Sequence, residues 1–178
     1  GEDRLKFTFV YAPQGKYTKV GCEDDVLLQE EDDISFIQKL ITETKKAFPT
    51  KRCNSFTSKD NKETRANLLN AFGNGSLDIL LAMKCLDEGV DVPRAEIGVF
   101  TSSTGNPREF IQRRGRLLRK HKDKKYSYIY DIIVIPDTIN REQSFSKMES
   151  NLVRNELKRV AYFSSLALNN RANNGAYE

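Results

Sequence analysis

The run Leu77-Asp78-Ile79-Leu80-Leu81-Ala82 constrains the fold more than any other stretch. A strand with one wet face alternates apolar and polar residues. A nearly continuous apolar run fits a strand covered on both faces, as in a parallel sheet. Ile97 to Thr101 reads the same way, and Leu5 to Tyr11, Arg52 to Phe56 and Tyr126 to Ile135 add three further strands. Helical segments lie between them. Asp33 to Phe48 places Ile34, Ile37, Ile41 and Phe48 on one stripe, with acids at its start, Lys45-Lys46 at its end and Pro49 as a stop. Asp60-Asn61-Lys62-Glu63 opens a second helix that ends at Gly73. Asn106-Pro107-Arg108-Glu109 opens a third, with an N-cap, a first-turn proline and a capping-box glutamate. Strands alternating with helices predict an α/β fold, a parallel sheet with helices on both sides.

The chain has 178 residues, enough for one domain with a core. The α/β pattern occupies residues 1–136. Residues 137–178 differ: they are mostly helix formers, with Val153, Leu157, Val160, Ala161 and Leu168 at helical spacing. They predict a long C-terminal helical extension whose end, from Asn170 to Glu178, frays. Tyr126, Tyr128 and Tyr130 alternate along the last strand, so some of them are expected in the core rather than on a base-stacking platform.

The chemistry concentrates in Gln112-Arg113-Arg114-Gly115-Arg116-Leu117-Leu118-Arg119. On a helix at about 100° per residue, Gln112, Arg116 and Arg119 share one face, and Phe110, Ile111, Leu117 and Leu118 gather opposite. Like charges at helical spacing repel. A face with two guanidiniums and a glutamine makes sense as a pre-built phosphate site, because the planar Arg fork matches phosphate oxygens. The same run continues to Lys125 as a basic stretch, against an acidic stretch from Glu23 to Asp33 in a chain of net charge +4. Basic clustering favours a polyanion partner; the alternative is a pair of solvated faces.

That octet resembles motif VI of the superfamily 2 helicases and translocases, Q-x-x-G-R-x-x-R. Leu77 to Pro93 is similar to motif V of the same family: a buried strand, a short loop, then Glu88-Gly89-Val90-Asp91-Val92-Pro93. Arg65, Leu69, Phe72 and Gly75 match the family's R-x-x-x-L-x-x-F-x-x-G helix. The resemblance covers roughly residues 5–136 and is to the second, C-terminal RecA-like domain, a three-layer parallel sheet flanked by helices. Asn155 to Asn169 also resembles a tail of restriction-type and DNA-repair-type members.

The resemblance implies an ATP-dependent motor that acts on nucleic acid, DNA in the first instance. Arg116 and Arg119 would be its arginine fingers, and Gln112 would orient them. Gly89 and Asp91 would reach the nucleotide ribose; Asp91 can also be read as a loop cap before Val92-Pro93. Arg113 points off the finger face and is either an ATP contact or a surface ion pair. Gly115 either admits a neighbouring backbone or is a tolerated helix glycine, at about 1 kcal/mol. ATP and Mg2+ would be held mainly by an N-terminal RecA-like domain, the expected partner. No P-loop is expected here, because Val10 stands where the pattern requires glycine and Tyr17 where it requires Ser or Thr. Alone, the chain is expected to be inactive. The alternatives are a non-motor nucleic-acid-binding α/β domain and a docking module.

Nucleic-acid contacts are expected at the carboxyl ends of the strands, where ligands of open α/β sheets bind. Gln14 and Gly15 of the Pro13-Gln14-Gly15 turn, Ser58, Lys59, and Thr101 and Ser102 of the Thr101-Ser102-Ser103 loop are the candidates. Met83 occupies a position where relatives often carry a phosphate-binding threonine. A thioether cannot replace that hydroxyl, and Lys84 is the substitute contact.

Cys22, Cys53 and Cys85 are far apart and odd in number, and His121 is the single histidine. Neither a zinc site nor a disulfide framework is expected, which fits a reduced, cytoplasmic compartment. No apolar run approaches the roughly 20 residues that span a bilayer. A chain that opens on Gly1 is expected to be an excised piece of a longer protein.

Overall fold

The computed structural model describes residues 2–12, 30–57, 59–83, 92, 94–101, 107–136 and 146–169. Among them are β1 (Thr8–Tyr11), α1 (Glu30–Ala47), β2 (Cys53–Phe56), α2 (Lys62–Gly73), β3 (Ile79–Ala82), β4 (Ile97–Phe100), α3 (Pro107–Leu117), β5 (Tyr128–Asp131) and α4 (Lys147–Leu166). The chain divides into two compact units, one of Gly1–Ser102 with Arg108–Ile132, the other of Ser103–Pro107 with Ile133–Glu178.

The first unit holds a five-stranded sheet in the order β2-β3-β1-β4-β5. Every pairing is parallel, and Thr8 of β1 lies between Ile79 of β3 and Ile97 of β4. The apolar run is β3, and its four residues are all buried. Side chains along a strand alternate between faces. Ile79 and Leu81 therefore join Ile37 and Ile41 of α1 and Cys53 on one side. Leu80 and Ala82 join Phe9, Phe56, Phe100, Phe72 of α2 and Leu117 of α3 on the other. Helices on both faces give the three layers expected of an α/β sheet.

The strands are shorter than their apolar patterns. Leu5 belongs to a 3-10 turn (Glu2–Leu5), and Phe7 takes a left-handed φ of 57°. The Thr8 hydroxyl donates to Leu5 O at 2.7 Å, closing that turn. Phe7 is held by the Arg94 guanidinium, 4.1 Å above its ring, and by an edge contact with Phe72 at 6.1 Å. At the other end, β5 has four β4 residues to pair with, and Ile132 N donates to Phe100 O as the last rung. Beyond it, Ile133, Val134 and Ile135 are exposed and not in a strand. The expectation that some of Tyr126, Tyr128 and Tyr130 enter the core is corrected: all three are exposed, because β5 is an edge strand and its tyrosines face away from the α2 and α3 layer.

In the second unit α4 starts at a full capping box. The Ser146 side chain accepts from Glu149 N, and Glu149 accepts from Ser146 N at 2.8 Å. The apolar stripe read from the sequence is not the buried face. Leu157, Ala161 and Leu168 are exposed, whereas Glu156, Arg159 and Ser164 are buried. Two Arg159 nitrogens donate to the Glu156 carboxylate, at 3.0 and 2.7 Å, and Val134 N donates to it at 3.4 Å. A buried charge pair is tolerable when its lone pairs are satisfied in this way.

Candidate nucleotide and nucleic-acid site

The position of α3 is set by a glycine. A β-carbon on Gly98 of β4 would fall inside the Leu117 side chain, so the helix closes onto the sheet at that point. Leu117 is fully buried there. Arg113, one turn earlier, lies on the same inward side and is 5% exposed. Tyr11, buried at the end of β1, stacks on Phe100 at 4.6 Å and donates its hydroxyl to Arg113 O at 3.1 Å. The Arg113 guanidinium lies 5.8 Å from the Tyr11 ring centre, within cation–π range.

This turns α3 by roughly 60° from the face read off the sequence, at 100° per residue. Ile111 and Leu118, expected to pack, are exposed. Arg113, for which a surface ion pair was the alternative, is an interior residue. Gln112 is exposed, as expected, and Arg116 is half-buried at the rim. Gly115 has nothing within 4 Å of a notional β-carbon, so among the described residues it admits no close neighbour. Arg119 lies beyond the helix. Leu118 N donates to Arg114 O as the last helical bond, and then Lys124 Nζ and Ser127 Oγ capture Leu117 O at 2.7 and 3.0 Å. The same Lys124 Nζ reaches Ala95 O at 3.1 Å, just before β4. The helix thus descends from the carboxyl toward the amino ends of the strands, and Arg119 is an exposed loop residue at the foot.

The other candidates separate. Met83 packs against the α1-side core with Val10 and Leu40, a hydrophobic contact and not a phosphate ligand in this arrangement. Thr101 donates its hydroxyl to Tyr11 O at 2.8 Å, so its one donor is engaged at the top of β1. Lys59 is exposed beyond β2. Gln14, Gly15, Ser58, Lys84, Gly89, Asp91, Ser102 and Ser103 lie outside the described residues. No three His, Cys, Asp or Glu side chains among the described residues could share a metal ion. Burial pushes the Cys53 thiol pKa up, which makes it inert.

A family model described as the helicase conserved C-terminal domain matches residues 25–121, more than half of the 178 residues. The chain belongs to the helicase conserved C-terminal domain family. The DNA 3'-5' translocase XPB2 of Sulfurisphaera tokodaii is 42% identical over 69 residues, 39% of this chain and 16% of that protein. Putative helicase 22 of a Sulfolobus islandicus filamentous virus is 33% identical over 100 residues, 56% of this chain and 17% of that protein. The chain thus spans about a sixth of the length of these relatives. Among solved structures, the yeast DEAD-box splicing factor Prp28 superposes with a TM-score of 0.53 at 13% identity, covering 83% of this chain and 30% of that one. Domain 2 of the DEAD-box helicase Mss116p, solved on an RNA duplex, gives 0.51 at 16% identity, covering 92% and 62%. The fold is that of the C-terminal RecA-like domain of superfamily 2 helicases and translocases.

Within this helicase domain, the R-x-x-x-L-x-x-F-x-x-G pattern has a packing meaning. Phe72 is in the core and Leu69 borders it. Arg65 lies 5.6 Å from the Phe56 ring centre. Gly75 takes φ 79°, and a β-carbon there would meet Lys6 and Phe7. One anchor went unnoticed in the sequence. Arg52 donates from Nε to Asp78 Oδ2 at 3.1 Å and from its terminal nitrogen to Gly75 O at 2.7 Å, while Arg52 N donates to the same Asp78 Oδ2 at 3.0 Å. The Arg52 guanidinium holds the Asp78 carboxyl below its ordinary value. The signal was the lone acid that interrupts the apolar run at Asp78.

Proposed function

We propose that this domain is the nucleotide-responsive half of an ATP-driven DNA translocase or helicase, closing on an N-terminal RecA-like domain. The family match carries the reading, because it spans both the Leu77–Pro93 and the Gln112–Arg119 segments, leaving out only β1 and β5 of the sheet. Three features of α3 support it. Arg113 and Leu117 fix the helix, Gln112 faces out, and Arg116 is half-buried in its last turn, with Arg119 exposed on the loop that follows. Such guanidiniums fit a polyphosphate, and Mg2+ falls to the partner domain. The relative named as a DNA translocase supports DNA as the track.

ATP supplies a transferable phosphoryl group whose equatorial oxygens carry charge in the transition state. Arg116 and Arg119 stabilise that charge, Gln112 positions them, and Arg113 keeps α3 at the depth from which they reach. Gly89 and Asp91 hold the ribose. A finger of this kind contributes about 10³–10⁵ in rate, or about 4–7 kcal/mol. Domain closure and reopening then move the grip along the strand.

The test uses the full-length protein. Arg116→Ala and Arg119→Ala are each expected to lower DNA-stimulated kcat by at least about 10²-fold while the melting temperature holds within about 2 °C. The 178-residue chain alone is expected to show no turnover. Wild-type kcat in both variants would remove the finger assignment, and a large melting loss would make the two arginines structural.

A further inference from the structure

On α4, Val153, Leu157 and Ala161 follow one another at i, i+4 and i+8, and with Ser150, Arg154 and Lys158 they line an open groove of about 510 Å³. Leu157, at its centre, is 60% exposed. The charges beside this apolar row are of one sign. The helix contains two acids, and both are committed: Glu149 to the Ser146 N–H, and Glu156 to Arg159. Lys147, Arg154 and Lys158 are exposed along the row, and none of them has an ion-pair partner among the described residues. At 100° per residue these three cations fall on one border of the row.

We propose that this face of α4 docks an acidic amphipathic helix from a protein partner. The face is about 12 residues long, and at 1.5 Å per residue it accepts roughly three turns of a partner. An apolar row engages a partner's i, i+3, i+4, i+7 stripe in the helix-in-groove manner. Lys147, Arg154 and Lys158 select carboxylates on one side of that stripe and reject lysines, which fixes orientation and specificity. A second copy of this chain does not fit, because antiparallel α4 on α4 opposes cation to cation, and the parallel arrangement offers the cations only Glu149 and Glu156, which are already engaged. A phosphate backbone would satisfy the cations but leave Leu157 and Val153 in water. A membrane surface is disfavoured by the narrowness of the row, with one large side chain at its centre. This surface is independent of the arginines of α3.

The experiment titrates the 178-residue chain against four probes by fluorescence anisotropy. They are a peptide of about four turns with a leucine stripe bordered by glutamates, the same peptide with lysines for glutamates, a DNA duplex, and vesicles containing phosphatidylserine. The acidic peptide is expected to bind saturably and at least tenfold more tightly than the lysine peptide. L157E should weaken it at least tenfold, and R154E/K158E should invert the preference between the two peptides. All three positions are exposed, and circular dichroism checks that the helix persists. Failure of the acidic peptide to bind, or binding indifferent to both variants, overturns the proposal. DNA or vesicle binding that is lost in R154E/K158E while the acidic peptide stays unbound assigns the face to phosphate instead.

Discussion

Gly98 has room for a hydrogen and for little else, because Leu117 lies where a β-carbon would stand. Gly98→Val is therefore expected to push α3 off the sheet and lower stability by about 1–3 kcal/mol, the usual penalty of overpacking. The loss would appear as an earlier thermal transition, with the ATPase proposed for the full-length protein falling alongside. An unchanged transition would mean that α3 docks elsewhere. Nothing in the sequence singled out this glycine. It sits inside an apolar strand, and its meaning depends on a helix about twenty residues downstream. Asp78 carries its signal in the sequence, an acid inside a buried run. Its carboxyl is held low by Arg52, so its stabilisation is present above the ordinary carboxylate value and is lost as pH falls through the lowered one. Asp78→Asn is expected to melt a few degrees earlier at pH 7, for about 1 kcal/mol, a modest value because Arg52 is half in solvent. The gap from wild type should close as pH drops below about 4. A gap that stays constant with pH would mean that the charge is irrelevant and the amide alone explains the loss.

At the scale of elements, local signals read correctly and facing signals less so. α2 begins where its cap lies: the Asn61 side chain accepts from Thr64 N at 2.8 Å, and the helix stops at Gly73. Its limits depend on neighbours in sequence, which is why they were legible. α3 had its proline start read correctly, but its face was set by long-range partners, Tyr11 and Gly98, and came out rotated. In α4 the apolar stripe suggested one buried face, and the satisfied Glu156–Arg159 pair occupies another. Hydrophobic periodicity assumes that charges stay wet, and a two-bond ion pair three residues apart escapes that assumption. The capping box of α4 offers a direct test of the local kind. Ser146→Ala removes the acceptor for Glu149 N and should destabilise the helix by about 1 kcal/mol. Amide exchange would rise at residues 147–150 and stay unchanged in the β1–β4 core. Protection equal to wild type in that first turn would show that packing, not the cap, fixes where α4 begins.

For the molecule as a whole, the alternation of apolar runs with helical stripes was enough for a parallel three-layer sheet, because each crossover from a parallel strand has to return over a face. The motif spacing was enough for the family. Side-chain roles were less legible, since Met83 and Thr101 have the right positions yet are engaged inside the domain, by the α1-side core and by Tyr11 O. That leaves Lys84, outside the described residues, as the backbone contact that the motif V segment would still offer. On the proposed reading, the isolated chain should bind DNA weakly and with little sequence preference, because half of the groove would belong to an N-terminal RecA-like domain and phosphate contacts carry no base information. Affinity should fall steeply with salt as counterion release loses its advantage. Lys84→Ala should lower affinity equally for oligonucleotides of different sequence and flatten the salt slope by about one unit, the signature of one phosphate contact. Titrations of labelled oligonucleotides at several salt concentrations read both effects. A marked sequence preference, or an unchanged slope in the Lys84 variant, would take the grip away from this loop and give it to the basic run from Arg113 to Lys125.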